Sequence, residues 1–125
     1  MKAAVYYETG APDVFRYEDV PDPVAGPGDI LIDVEAVSIE GGDTLNRLGG
    51  ELTGVPHVVG YQCAGTVAQV GAGVTDFAAG DRAVTVGLDG SHAERRAVPG
   101  RLRLEDPRRR GDGRGGLRAR AVRHR

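Results

Sequence analysis

Glycine and proline recur so often in this chain that none of its regular elements can be long. The 125 residues include 20 Gly and 7 Pro, a content that favours strands and tight turns over extended helices. Along the first part of the chain, turn signals fall about every 8–12 residues and leave room for about seven short strands. This spacing predicts a mainly β domain, built as a small barrel or sandwich.

The clearest strand signal is the alternation of apolar and acidic residues in ILIDVEAVSI, residues 30–39. Side chains of a strand point alternately to its two faces, so one face is apolar and the other carries the acids. The apolar face comprises Ile30, Ile32, Val34 and Ala36. Weaker signals predict further strands, in chain order at 3–7, 14–20, the two sides of a turn at 71–73 within 63–77, 80–88 and 91–99.

A short helix is predicted directly after this strand. Residues 43–49, DTLNRLG, fit one or two helical turns, with Asp43 as the N-cap and Gly49 as the C-terminal stop.

The charge of the chain is divided between an acidic body and a basic tail. Residues 1–100 carry six basic and fifteen acidic side chains, a net charge of −9, whereas residues 101–125 carry ten Arg and three acidic side chains, a net charge of +7. Few large apolar residues stand in the tail, so ordering it would cost about 1–2 kcal/mol per residue with little burial in return. We therefore expect one domain over residues 1–100 and a disordered Arg/Gly-rich tail over 101–125.

Composition also disfavours several classes of protein. The acidic body argues against nucleic acid or an anionic membrane as its partner. Cys63 is the one cysteine of the chain, so there is no internal disulfide and no thiolate metal cluster, and we expect its thiol to be buried as a small apolar group. The N-terminal apolar run is too short for a signal peptide, and no segment approaches the ~20 apolar residues of a membrane helix. We expect a soluble, cytoplasmic protein.

Three segments, in order, resemble the N-terminal catalytic domain of medium-chain dehydrogenases/reductases: residues 21–47, 60–84 and 90–99. The most specific elements are PGDILIDVEA, a G-x-x-x-A-G-x-V segment at 60–67, the VGAGV turn and GDRAV. The resemblance covers roughly residues 1–100. It implies a GroES-like, partly open β barrel with one or two short helices, which agrees with the strand count reached independently.

Within that superfamily the chain resembles the zinc-independent quinone oxidoreductase, or zeta-crystallin-like, branch. Zinc-dependent relatives hold their metal with a Cys in a G-x-C-G-x-D type segment and a His in a G-H-E segment, because zinc needs three or four such donors. Here Glu40 stands at the cysteine position, with Tyr61 and Gln62 where the His and Glu would stand. The four-cysteine structural lobe is also missing, so we expect no metal site.

The resemblance implies hydride transfer from NADPH to a quinone or an α,β-unsaturated carbonyl. In such chemistry the cofactor carries the reaction, and the protein positions the acceptor. Branch members usually show an S-V-N-P-x-D-x-Y segment that faces the nicotinamide. The matching SIEGGDTL, residues 38–45, keeps Ser38 and Asp43 but has Glu40 for the Asn and Leu45 for the Tyr.

The cleft candidates implied by this comparison are Asp43, Arg47 and Tyr61. Two alternatives stay open. Asp43 could act only as a helix cap, and Arg47 could be a solvated surface charge.

We expect no cofactor-binding residues in this chain. The family binds its nicotinamide cofactor in a second, Rossmann-type domain, and a dinucleotide fingerprint needs a strand, G-x-G-x-x-G and then a helix. The G-x-G at 71–73 is followed by V-T-D-F, which reads as a turn. The chain is therefore expected to be a truncated reductase that is inactive alone.

Three interpretations of the tail remain. A choice of synonymous codons for residues 104–118, read one base forward, yields a family-like sequence with I-P-D-G and E-E-A-A, which favours a frameshift or sequencing error near residue 100. A genuine basic arm would bind nucleic acid through phosphates, but no aromatic residue follows Phe77 to stack on bases. The third is a stand-alone GroES-like module that binds a protein partner. Barrel edges and apolar surface left uncovered also predict self-association.

Overall fold

Two antiparallel sheets and one α-helix make up the part of the chain that the computed structural model describes, residues 1–100 and 120–123. The strands are β1 (Lys2–Tyr6), β2 (Arg16–Asp19), β3 (Asp29–Ser38), β4 (His57–Val58), β5 (Gln62–Val70), β6 (Arg82–Val86), β7 (Arg95–Pro99) and β8 (Arg120–Arg123). Helix α1 spans Gly41–Gly49, and a 3-10 turn spans Pro12–Val14. The strand orders are β2-β1-β4 and β7-β3-β5-β6-β8. The mainly β, GroES-like prediction with a short helix is confirmed, although the described residues form two sheets and not a closed barrel.

Strand β3 organises the larger sheet because it pairs with β5 on one side and β7 on the other. Ile30 and Ile32 are fully buried, as the alternation predicted, whereas Val34 is half-buried and Ala36 is exposed. The buried end of β3 packs into the main core, whose members are Ile30, Ile32, Val67, Phe77, Ala83 and Val98.

The segment after the 71–73 turn differs from the prediction of a second short strand. Val74 N–H donates to Gly71 O at 3.4 Å, and Asp81 N–H donates to Ala78 O at 3.1 Å. In these turns the N–H groups of Val74 and Asp81 form local hydrogen bonds, so they are not available for pairing with a neighbouring strand. The apolar residue that suggested a strand here is Phe77. Its side chain is 5% exposed and packs in the core from a loop.

Strand β2 of the first sheet is shorter than the strand predicted over residues 14–20. Val14 is the last residue of the 3-10 turn, and strand pairing covers only Arg16–Asp19. The side chain of Tyr6 at the end of β1 is 1% exposed and stacks on His57 with ring centroids 4.7 Å apart.

Strand β8 lies in the predicted tail and extends the edge of β6, with Val84 opposite Val122. For these four residues the structure differs from the expectation of disorder. Residues 101–119 and 124–125, on which the rest of that prediction falls, lie outside the described residues.

Burial of His57 makes the stability of this sheet depend on pH. The ring is 3% exposed, its Nδ1 accepts a hydrogen bond from Thr53 N–H at 3.3 Å, and burial lowers the pKa of His57 from its ordinary value of 6.5. The folded state therefore takes up this proton less readily than the unfolded chain. The contribution is fully present above pH 6.5 and is lost as pH falls through the lowered pKa.

We expect denaturant midpoints to fall between about pH 7.5 and about pH 5. The difference should shrink in His57→Phe, which keeps a ring to stack on Tyr6 but cannot take a proton. An equal pH dependence in the two proteins would contradict this assignment.

Candidate functional site

Two residues separate the end of β3 from the start of helix α1, and polar groups of the site lie at the beginning of this helix. Glu40 is the N-cap, and Glu40 and Asp43 form a capping box in which each side chain accepts a hydrogen bond from the other residue's backbone N–H. Glu40 N–H donates to Asp43 Oδ2 at 2.8 Å, and Ser38 Oγ donates to Glu40 Oε1 at 2.8 Å. The prediction that Asp43 is the N-cap is therefore wrong. The N-cap is Glu40, three residues earlier, and Gly41 and Gly42 are already helical.

Besides its role in the capping box, the carboxylate of Asp43 lies near His92. The side chain is 5% exposed, its Oδ2 lies 4.0 Å from His92 Nε2, and its Oδ1 is buried with no hydrogen-bond partner among the described residues. An unsatisfied buried acceptor costs about 1–3 kcal/mol, and such groups are commonly explained by a ligand, ion or water.

His92 faces Asp43 from the segment before β7. Its Nε2 lies 2.9 Å from the carbonyl oxygen of Ser38. A carbonyl can only accept, so Nε2 carries the proton in this hydrogen bond. The ring packs on Gly60, whose φ is +110° and where a Cβ would overlap the Cδ2–Nε2 edge of the imidazole. Glycine at position 60 is therefore required both by the backbone and by the ring.

Asp43 and His92 line one cavity of about 420 Å³ between β1, β2 and α1. This volume lies within the ~300–1,000 Å³ range of small-molecule sites. The lining residues are Ala4, Phe15, Arg16, Tyr17, Ile39, Asp43, Thr44, Val59 and His92. A neighbouring cavity of about 440 Å³ shares His92. The lining of the first cavity is thus mainly apolar and aromatic, with Asp43, His92, Arg16 and Thr44 as its polar members.

Arg47 is not a solvated surface charge, as one alternative held, because it is only 9% exposed. Its Nε donates to Gly10 O at 3.1 Å, Gly10 N–H donates back to Arg47 O at 2.7 Å, and the guanidinium lies 5.6 Å from the centroid of Phe15. Arg47 therefore holds the loop after β1 against α1. It does not line the cavity itself but contacts Phe15, which does.

Tyr61 lies against the same helix but does not line the cavity. Its ring packs where a side chain at Gly42 would overlap it, and its Oη accepts a hydrogen bond from Asn46 Nδ2 at 3.2 Å. The three predicted candidates are therefore separated. Asp43 reaches the cavity, Arg47 lies behind its wall, and Tyr61 packs against α1 at Gly42 and Asn46.

Sequence reasoning missed His92. The residue stands far from Asp43 along the chain, and nothing in GSHAERRAVP marks one histidine as functional. Only the packing of its segment against β1, where Ala4 N–H donates to His92 O at 2.9 Å, brings it to the helix.

Cys63 is buried, as predicted, at 2% exposure. Burial raises the pKa of its thiol, opposed by a hydrogen bond with Ser91 and by the charge of Arg96. The thiol is therefore kept protonated and inert.

Within residues 1–100 and 120–123, no three His, Cys, Asp or Glu side chains come close enough to hold a metal ion. Among the described residues, no helix has the length and apolarity to span a membrane.

Comparison with known proteins shows the family of this domain. The chain matches the model of the alcohol dehydrogenase GroES-like domain over residues 26–122. It is 33% identical over 118 residues to the 2-haloacrylate reductase of Burkholderia sp., an alignment that covers 86% of this chain and 34% of that protein.

Solved structures of quinone oxidoreductases are similar to this chain in fold. A mycobacterial quinone oxidoreductase superposes with a TM-score of 0.70 at 38% identity, covering 79% of this chain and 31% of that one. The Escherichia coli quinone oxidoreductase complexed with NADPH superposes with a TM-score of 0.74 at 25% identity, over the same shares. The chain therefore spans about a third of the length of these three proteins.

Proposed function

We propose, from the premise that this chain belongs to the family of alcohol dehydrogenase GroES-like domains, that it is the acceptor-binding part of an oxidoreductase. The reaction is hydride transfer from NADPH to a quinone or an α,β-unsaturated carbonyl. The observation that carries the proposal is the mainly apolar cavity whose lining includes the neighbouring side chains of Asp43 and His92. Flat carbonyl compounds match a site of this kind, in which apolar walls hold the body and a few polar groups fix the orientation.

In this proposal NADPH is bound by a second domain. Among the described residues, the G-x-G at 71–73 forms a turn with Gly73 at φ +80°, and β6 follows it without an intervening helix. In dinucleotide-binding folds the pyrophosphate lies at the N-terminus of a helix that directly follows a glycine-rich turn. We therefore propose that the cofactor site lies outside these residues and that the 125 residues alone are inactive.

The division into a domain at 1–100 and a tail at 101–125 also stays a proposal, together with the frameshift that would explain the tail. Sequencing the gene from codon 95 to a few hundred bases beyond codon 125 tests it. A shifted frame that continues into a glycine-rich strand-turn-helix supports a misread reductase. Early stop codons in that frame would make the arginine-rich tail genuine.

The function itself is tested with a hybrid protein. Residues 1–100 replace the corresponding third of the Escherichia coli quinone oxidoreductase, and NADPH oxidation is followed with a quinone and with an enone. We expect no oxidation by the 125-residue chain and quinone- or enone-dependent oxidation by the hybrid. A folded hybrid that binds NADPH but reduces neither acceptor would contradict the proposal.

A second candidate function is a module that binds a protein partner. Large apolar side chains are exposed between residues 39 and 55, namely Ile39, Leu45, Leu48 and Val55 at 83%, 68%, 56% and 70% exposure. An apolar surface of this kind is typical of an interface, whether with a second domain, a partner or another copy. Salt-insensitive association of the 125-residue chain with a protein, combined with an inactive hybrid, would favour this alternative.

A further inference from the structure

Arg16 brings a positive charge to the lining of the first cavity from strand β2. A guanidinium stays protonated throughout the physiological pH range, so its N–H donors are present whatever the pH of the site. Whether these donors are open to a ligand depends on the groups around Arg16 in the folded chain.

The described residues leave the guanidinium of Arg16 without a hydrogen bond or an ion pair. Glu18 lies two residues further along β2 and on the same face of the strand, but it accepts a hydrogen bond from Tyr7 Oη. The other four arginines within residues 1–100 each bond to a neighbouring group. These pairs are Arg47 with Gly10 O, Arg82 with Glu35, Arg95 with Asp33, and Arg96 with Ser91 Oγ. Arg16 is therefore the arginine of this range whose donors are open to a ligand.

The charged side chains that line the second cavity are paired with other groups. Lys2 Nζ lies 2.6 Å from Asp19 Oδ2, and Glu94 Oε2 accepts a hydrogen bond from Lys2 N–H at 2.8 Å. Glu35 forms an ion pair with Arg82 at 3.3 Å. The charge that the two linings offer to a ligand is therefore on the β2 wall of the first cavity.

The carboxylate of Asp43 lines the same cavity but belongs to a different wall, helix α1. Its Oδ2 accepts a hydrogen bond from Glu40 N–H at 2.8 Å, at the helix N-terminus, where the partial positive charge of the backbone N–H groups favours an anion. Its Oδ1 is buried. A ligand between the two walls therefore meets a cation at β2 and a carboxylate at α1, so an anionic group of that ligand is favoured on the β2 side.

We propose that Arg16 binds a carboxylate carried by the acceptor, so that this domain selects conjugated carbonyl compounds with a carboxylate over neutral ones. This inference rests on the proposed function and names its substrate class. A guanidinium presents paired N–H donors that match the two oxygens of a carboxylate, and the opposite charges make these hydrogen bonds stronger than those to a neutral carbonyl oxygen.

The rest of the lining defines the body of the ligand. Phe15 and Tyr17, on either side of Arg16 in the sequence, line the cavity together with Ile39 and Val59. These aromatic and aliphatic side chains suit a flat, conjugated body. The ligand class is therefore a planar carbonyl compound with one carboxylate at its edge.

The experiment compares two probes of nearly the same shape, 4-acetylbenzoate and 4-acetylbenzamide, of which only the first is charged. Their binding to the 125-residue chain is measured by NMR titration at about pH 7.5 and low salt, where every Arg is protonated. Because Arg16 is exposed, we expect a moderate preference, with the benzoate bound about fivefold more tightly than the amide. The preference should fall in about 0.5 M salt, which screens exposed charges.

Three variants test whether this preference comes from Arg16. Arg16→Gln keeps polar donors but removes the charge, so both probes should bind with the affinity of the amide for the wild-type chain. Arg16→Lys keeps the charge without the paired donors and should retain about half of the preference. Arg95→Gln is the matched control, since it removes the same charge from β7 outside both cavities, and it should leave the preference unchanged.

The outcomes separate this inference from the proposed function. Equal binding of the two probes by the wild-type chain, or a preference that persists in Arg16→Gln, would overturn the inference. An equal loss of preference in Arg16→Gln and Arg95→Gln would do the same. In each case binding of the neutral amide still supports an acceptor site. If wild-type protein with dispersed amide signals binds neither probe, both the inference and an acceptor site in this chain are wrong.

Discussion

Gly65→Ala is expected to destabilise the fold by about 3 kcal/mol or more, because the added methyl overlaps backbone and cannot be accommodated by a side-chain rotation. An ideal Cβ at position 65 overlaps the carbonyl oxygen of Asp33 on the paired strand β3. Gly65 lies opposite Val34, directly before a register irregularity between β3 and β5. The overlap can therefore be removed only if strands β3 and β5 of the larger sheet separate locally.

The matched control is Gly49→Ala. Position 49 is the last residue of α1, and no atom lies within 4 Å of an added Cβ. Alanine there should be neutral or stabilising by up to about 1 kcal/mol, since it favours the helix over glycine. Thermal unfolding followed by circular dichroism measures both, and each kcal/mol corresponds to about 4–8 °C in a domain of this size. Equal melting temperatures for the two variants would contradict the close approach of β3 and β5.

Ile32→Ala is expected to cost about 2–5 kcal/mol in the free energy of unfolding, through lost burial and the cavity that is left. Ile32 is fully buried at the centre of the main core, on the strand that joins β5 and β7. Stability of a small domain totals about 5–15 kcal/mol, so this one change removes a large share of it.

Ile39→Ala makes the same chemical change on the surface. Ile39 is 83% exposed, and substitutions of this kind stay within about 0.5 kcal/mol. Urea denaturation should give a lower midpoint for Ile32→Ala with a similar slope, and an unchanged midpoint for Ile39→Ala. A similar loss in both proteins would mean that the two side chains do not differ in burial.

The sequence predicts the β class because its strongest signals are local. Alternation in β3 marks Ile30 and Ile32 as core, and glycines mark the turns. The same patterns do not predict where pairing stops. Phe77 looks like part of a strand, but its burial comes from a loop that folds over the core, a contact that no local pattern encodes.

The site is harder to predict than the fold for the same reason. Asp43 could be identified through a motif, but its roles as a capping partner and a cavity wall depend on Glu40 and His92. Arg47 reads as a surface charge because arginine is usually exposed, whereas its hydrogen bond to Gly10 and its contact with Phe15 bury it. Tertiary packing, rather than residue type, decided both outcomes.

The contact between Gly60 and His92 also limits how these two positions can change during evolution. A side chain at position 60 overlaps the imidazole ring, and the φ of +110° disfavours any residue other than glycine there even where space is available. A smaller residue at position 92 therefore does not by itself permit a substitution at position 60. Descendants of this chain should keep glycine at position 60 whatever residue they carry at position 92.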